Sequence, residues 1–220
     1  MNLEVCTVKY SELRLKNRDA EKIRGYIGNR YIENNLLHNH DDNKFIYRYP
    51  LVQYKVIDNI PTIIGINEAA NIVAKIGLFE DELIIRDVSY DINKKEINKE
   101  NFEFGCTDDY IEYEFVTPWI AINQKNRAEY QYGNEIKKEE ILKKVLIGNI
   151  ISMSKGLGYT VSKQLICWIN VEEKRVKLKG ITHVGFVGKF KVNFKIPDYL
   201  GLGKSVSRGF GTIRKKVGVK

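Results

Sequence analysis

The chain has 220 residues, 43% hydrophobic and 29% charged, enough for one large domain or two small ones and ordinary for a globular fold. It holds no apolar run near the roughly 18 residues of a membrane span, and its first residues, MNLEVCTVKY, lack the basic leader and apolar core of a secretory signal, so a cytoplasmic protein with no membrane partner is expected. Three isolated cysteines, Cys6, Cys106 and Cys167, exclude a disulfide framework and a zinc knuckle; Cys6 and Cys167 sit in apolar runs and read as buried small hydrophobes.

In chain order, Leu3–Val8 reads as a strand. Arg18–Ile32 shows helical spacing at Ile23, Tyr26, Ile27 and Tyr31, with Gly25 and Gly28 each weakening it by about 1 kcal/mol. Phe45–Ile57 and Thr62–Ile66 form a hairpin through Asp58-Asn59-Ile60-Pro61. Asn67 is expected to cap a helix reaching Ile76, with Ala69, Ile72, Val73 and Ile76 inward and Gly77 as its stop. Leu83–Tyr90 then closes as a strand. The order βαββαβ predicts a ferredoxin-like unit, an antiparallel sheet with both helices on one face.

The polar run Asp91–Lys99 is read as the boundary between an N-terminal domain, 1–92, and a C-terminal domain, 93–220. The second half predicts strands at Ile111–Val116 and Trp119–Asn123, then a helix from Glu135 to Lys155. That helix carries a stripe at Ile141, Val145, Ile147 or Gly148, and Ile151, and stops at Gly156. Strands at Gln164–Val171, Arg175–His183, Gly185–Ile196 and Thr212–Val217 follow. The fold class is α+β, two tandem ferredoxin-like units, the second degenerate with a glycine-rich loop in place of a helix. In Lys189–Ile196 the alternation is clean: Phe190, Val192, Phe194 and Ile196 point one way, Lys189, Lys191, Asn193 and Lys195 the other.

The loop that follows, IPDYLGLGKSVSRGFGTIR, carries the strongest functional signal. Gly201, Gly203, Gly209 and Gly211 bracket Lys204, Ser205, Ser207 and Arg208. Glycine permits close backbone approach and positive φ, and hydroxyls with cations offer donors to phosphate oxygens, so the loop reads as a clamp on a polyanion. Gly203-Lys204-Ser205 mimics the end of a nucleotide phosphate loop, but Asp198 stands where its first glycine belongs, and Gly209 and Gly211 disfavour the helix that motif needs. A dinucleotide fingerprint fails at Val206, and a plain hairpin turn needs one or two glycines, not four with cations between them. Charge agrees: from Lys174 to Lys220 there are 13 Lys or Arg against Asp198 alone, +12, while the rest of the chain carries −4 of the overall +8. A basic stretch threaded with apolar strand residues is a nucleic-acid footprint rather than a disordered tail.

Two of the three histidines are His38 and His40, in NNLLHNHDDNK. In an extended loop, period-two spacing turns both imidazoles to one side. Paired imidazoles suit cleavage of RNA by its own 2′-hydroxyl: one neutral ring takes the proton and one protonated ring donates to the departing 5′-oxygen, since a pKa near ~6.5 populates both forms. Asp41 and Asp42 would help to keep one ring protonated, and Lys44, Tyr47 and Arg48 would stabilise the phosphorane, although outward Tyr47 and Tyr49 are equally explained by sheet packing. A metallo-hydrolase reading of His38-x-His40-Asp41 lacks further histidines, because only His183 remains and it reads as packing or lining the RNA surface. No metal or other cofactor is called for.

Pro197 to Thr212, with Pro-Asp-x-Leu-Gly-x-Gly-Lys and Arg-Gly-Phe-Gly in register, resembles the C-terminal glycine-rich loop of the CRISPR RNA-processing endoribonucleases, members of the repeat-associated RNA-binding (RAMP) superfamily. The resemblance implies two ferredoxin-like units, metal-independent cleavage of the CRISPR repeat transcript to a 2′,3′-cyclic phosphate and a 5′-hydroxyl, and a histidine of the N-terminal unit as acid or base, here His38 or His40. It also implies retention of the product guide RNA and its transfer to an interference complex. A non-catalytic RNA-binding subunit of a CRISPR effector complex shares the fold and the clamp; the paired histidines separate the two. Monomer and homodimer both remain open.

Overall fold

Strand β1 (Asn2–Lys9) buries Leu3, Val5, Cys6 and Val8 and lies at the centre of the first sheet. Helix α1 (Ala20–Arg30) buries Ala20, Ile23, Ile27 and Gly28, an amphipathic spacing. Gly25 points into open space, so it costs the helix only backbone freedom, which the packed opposite face offsets. A short helix α2 (Asn35–His38) and two-residue strands β2 (His40–Asp41) and β3 (Lys44–Phe45) follow, His40 opposite Phe45 and Asp41 opposite Lys44. The structure, a computed structural model, describes residues 1–38, 40–41, 44–45 and 49–216, with backbone alone at His38, His40, Asp41, Lys44 and Phe45.

The predicted hairpin is β4 (Val52–Ile57) and β5 (Ile60–Ile66), its first arm shorter than the expected Phe45–Ile57 because Phe45 belongs to β3; it turns through Asp58 and Asn59 at φ 51° and 65°, the left-handed pair of a tight hairpin turn. Helix α3 (Glu68–Phe79) runs past its expected stop at Gly77. Gly77 serves packing instead: a Cβ there would lie 2.7 Å from Val8 Cγ2. Asn67 precedes the helix but its side chain does not cap it; its Oδ1 accepts from Glu4 N at 3.2 Å. Helix α1 packs on β4, and α3 on β1 and β5.

The closing strand lies elsewhere than expected. Leu83–Tyr90 folds back on itself as β6 (Glu82–Ile85) and β7 (Val88–Asp91), turning at Arg86 and Asp87. The sheet is completed by β8 (Glu96–Glu103), out of the stretch read as a linker, giving the order β4-β5-β1-β8. Strand β8 is an edge strand exposed along nearly its whole length, so it carries no apolar alternation to betray it.

In the second half, β9 (Gly105–Trp119) is one strand of 15 residues where two were expected. After α4 (Arg127–Tyr132), helix α5 (Glu135–Gly156) starts at Asn134, whose side chain accepts from Lys137 N at 2.9 Å, an N-cap. Its buried face is Ile141, Leu142, Leu146, Ile150 and Met153. Of the predicted stripe, Ile141 is in this face while Ile151 is 46% exposed. Both patterns have helical spacing, and the sheet decides which one turns inward. One long hairpin, β10 (Cys167–Leu178) and β11 (Ile181–Lys195), replaces the three predicted strands, and β12 (Ile213–Lys215) ends the sheet. Its order, β10-β11-β9-β12, repeats the first sheet strand for strand, with Ile196–Thr212 where the first unit has α3. The core is aromatic: Phe115 stacks on Trp119 with centroids 5.1 Å apart and meets Phe190 at 5.0 Å.

Two units result. One is Asn2–Phe102 with Val206–Gly209; the other is Met1, Glu103–Ser205 and Phe210–Lys220. The change falls after Phe102 rather than at 92–93 because β8 belongs to the first sheet. Among the described residues, no helix is long and apolar enough to cross a membrane.

Candidate nucleic-acid interface

The glycine-rich loop stands on a paired base. Tyr199 N donates to Ile213 O at 2.7 Å, Ile213 N to Leu200 O at 3.0 Å and Leu202 N to Gly211 O at 2.9 Å, while Gly201 bridges Thr212. Asp198 accepts from Lys215 N at 2.6 Å. The buried Tyr113 hydroxyl accepts from Ile196 N at 2.9 Å and donates to Phe194 O at 3.1 Å, fixing the point where strand becomes loop. Beyond this base Lys204 is exposed, Ser205, Ser207 and Arg208 are half-buried, and Val206–Arg208 forms a turn of 3-10 helix.

The room that the glycines leave is filled by the protein itself. Gly203, at φ +86°, passes the Trp119 indole so closely that a Cβ would lie 2.7 Å from Nε1, and that nitrogen donates to Asn149 Oδ1 at 2.9 Å. At Gly211 (φ +63°), whose carbonyl accepts from Leu202 N, a Cβ would strike the Leu202 carbonyl oxygen. At Gly209 it would lie 2.9 Å from Ala20 Cβ at the start of α1. These glycines shape the loop before any ligand arrives; the donors it offers are Lys204, Ser205, Ser207, Arg208 and the backbone.

The lysine front of β11 is a mixed face. Lys191 lies opposite Glu112 and Lys189 opposite Glu114 on β9. Glu112 stands 3.5 Å from Lys191 and 3.9 Å from Lys189. Burial opposes ionisation of Glu114, yet hydrogen bonds from Arg214 and Lys216 hold its carboxyl below the usual range. Lys195 is paired with Glu103, whose hydrogen bond raises the ammonium above an ordinary lysine. Alternation along β11 alone could not show these partners, because they arrive from another strand.

His38 ends α2 and His40 opens β2, with Lys44 at the start of β3. The backbone is helical at His38 and extended at His40. Tyr47 and Arg48 lie outside the described residues. His183 sits in β11 opposite Val176, half-buried.

Two cations of the first unit escaped the sequence reading. Lys55 is fully buried in β4, all six of whose residues are buried, and burial pushes its ammonium down to about 7. A lysine inside the apolar run LVQYKVI was the available signal. Burial, and then the neighbouring Arg208, hold Arg24 of α1 below an ordinary arginine, and Glu21 lies 4.0 Å from Arg208. Positive charge thus accumulates where α1 meets Val206–Gly209, all within the first unit. One arginine in a charged helix gave no hint of this.

Two sheets of one strand order, the second with a glycine-rich loop in place of a helix, define the tandem ferredoxin-like class. A structure described as an RAMP protein binding different RNA substrates, 11% identical, shares this fold with a TM-score of 0.57 over 99% of this chain and 100% of that one. The family is narrower. The Cas6b N-terminal domain matches residues 1–103 and the Cas6b C-terminal domain residues 105–216, meeting where the sheets change over, and the chain belongs to the Cas6b family. A crystal structure of Cas6b is 47% identical with a TM-score of 0.95, covering 98% of this chain and 100% of that one. Another, of the CRISPR RNA processing endoribonuclease Cas6b, is 41% identical with a TM-score of 0.81 at the same coverage. An uncharacterised protein of Methanocaldococcus jannaschii is 50% identical over 112 residues, 50% of this chain and 76% of that protein.

Proposed function

We propose that this protein is an endoribonuclease that cuts CRISPR precursor transcripts within the repeat, without a metal ion, to release guide RNAs. One observation carries this reading: Cas6b domains match along nearly the whole chain, and a structure described as a CRISPR RNA processing endoribonuclease is 41% identical over 98% of it. Lys204, Ser205, Ser207 and Arg208 hold the RNA backbone, with the loop shaped by Gly201, Gly203, Gly209 and Gly211, and Lys189, Lys191 and Lys195 extend the contact. Arg24 joins Arg208 on a phosphate. One of His38 and His40 takes the proton from the 2′-hydroxyl, whose oxygen attacks the adjacent phosphorus. The bond from phosphorus to the 5′-oxygen breaks as the other imidazolium donates its proton there, leaving a 2′,3′-cyclic phosphate and a 5′-hydroxyl. Lys44 and Tyr47, next in the chain, stabilise the charge on the phosphorane. The enzyme works in the cytoplasm and keeps its product for an interference complex.

Cleavage of the cognate repeat RNA in EDTA tests this. Wild type is expected to cut, His38→Ala and His40→Ala to lose roughly 10²- to 10⁴-fold in rate, and RNA with a 2′-deoxy sugar before the cut to stay intact. Loss of cutting in EDTA would refute the metal-free route. Tight binding by a wild type that never cuts would assign the chain to the binding subunits of effector complexes instead.

A further inference from the structure

The front of the second sheet holds an aromatic pair that the proposed chemistry does not use. Tyr110 of β9 and Trp168 of β10 are each 48% exposed, yet meet edge to face with ring centroids 4.6 Å apart, although β11 runs between their strands. With Glu112, Asn170, Lys189 and Lys191 they line an open groove of about 660 Å³ on the sheet surface. Tyr110 and Glu112, Trp168 and Asn170, and Lys189 and Lys191 are each two apart and share a face of their strand. Phe190, between the lysines, is buried against Tyr113. The pair is therefore left out of a core that already has its own aromatic cluster.

Three features select the occupant. Exposed aromatic faces stack nucleobases of any sequence. Lys189 and Lys191 share a single carboxylate at 3.9 and 3.5 Å, a loose hold that leaves them free to turn to a phosphate. Glu112 can accept from the N–H edge of a base, as carboxylates do from exocyclic amines. A second copy of this chain suits the groove poorly, because it would have to cover two ammonium groups, and lysine is depleted at protein interfaces. We propose that this groove receives one unpaired nucleobase of the bound RNA, stacked on Trp168, with a flanking phosphate on Lys189 or Lys191. The proposal rests on RNA being the ligand of this unit, as argued above.

The test measures dissociation constants by fluorescence anisotropy on the full chain. The probes are cognate repeat RNAs blocked by a 2′-deoxy sugar at the cut, each with one abasic position. For wild type, one abasic position is expected to weaken binding about tenfold. Trp168→Ala weakens the intact RNA by a similar factor and loses nothing further at that position, whereas Trp168→Phe keeps most of the affinity. Trp119 is fully buried and Trp168 is 48% exposed, so RNA quenches tryptophan emission in wild type but not in Trp168→Phe. Intact binding with no position coupled to Trp168 overturns this inference alone. A wild type that fails to bind repeat RNA overturns the proposed function with it. If Trp168→Ala changes the sedimenting species and leaves RNA affinity untouched, the face joins copies of the chain and the inference falls.

Discussion

Buried Lys55 makes the stability of the fold depend on pH. Its folded value of about 7 lies below the 10.5 of an unfolded lysine, with burial as the cause. Between those two values the folded chain binds fewer protons than the unfolded one, so this group makes stability rise with pH across that window. Lys55→Met is expected to remove that slope. Urea unfolding of both proteins at pH 7 and pH 9 checks it; a gap of the same size at both values would refute the burial argument. The glycines give an opposed pair. Gly25 faces open space within α1, and Gly25→Ala should stabilise by roughly 0.4–1 kcal/mol. Gly211→Ala should destabilise by more than that, since it combines φ +63° with a strike on the Leu202 carbonyl. Thermal unfolding of the two variants separates the cases.

At the scale of elements, two side chains fasten segments that repetitive structure alone would leave loose. Glu80, past the end of α3 and 2% exposed, accepts from Arg30 Nε at 2.8 Å and Tyr31 OH at 2.5 Å. It thereby ties the end of α1 to the end of α3. Burial and that hydrogen bond push the Tyr31 hydroxyl up to about 12. Removing the carboxylate in Glu80→Ala takes the acceptor from the half-buried Tyr31 hydroxyl and unties the exposed Arg30, and should cost about 1–3 kcal/mol in urea unfolding. Tyr113→Phe deletes the hydroxyl that serves Ile196 N and Phe194 O, with a similar cost, and should also weaken RNA binding because the loop starts there. RNA affinity unchanged in Tyr113→Phe would show that the loop holds its shape from its paired base alone. Elements with apolar faces were legible from sequence: β1, α1, the β4–β5 hairpin, α5 and the front and back of β11. The hairpin β6–β7 and the edge strand β8 are not legible in the same way. An apolar run does not say whether it stays straight, and an exposed edge has no apolar face to reveal it.

For the whole molecule, the separation of charge along the chain predicts how RNA binding responds to salt. Each phosphate contact on a single strand contributes about 0.7 to the slope of log affinity against log salt. Lys204→Ala and Arg208→Ala together should therefore make that slope shallower by roughly 1.4, read by anisotropy titrations between low and physiological salt. An unchanged slope would remove the loop from the interface.

By itself the sequence determined the class of the protein. The βαββαβ periodicity, the glycine-rich loop between two strands and the basic C-terminal stretch are local patterns, each written within a few dozen residues, and they pointed to tandem ferredoxin-like units and an RNA ligand. The tertiary structure alone decided what each of those residues faces. Glu112 and Glu114 come to Lys191 and Lys189 from a different strand, Trp119 comes to Gly203 from the end of β9, and Arg24 comes to Arg208 across most of the chain. It also decided that His38 closes a helix while His40 opens a strand. The physical reason is that period and composition act along the chain, whereas charge pairing, burial and close packing act between segments, and only folding fixes which segments meet.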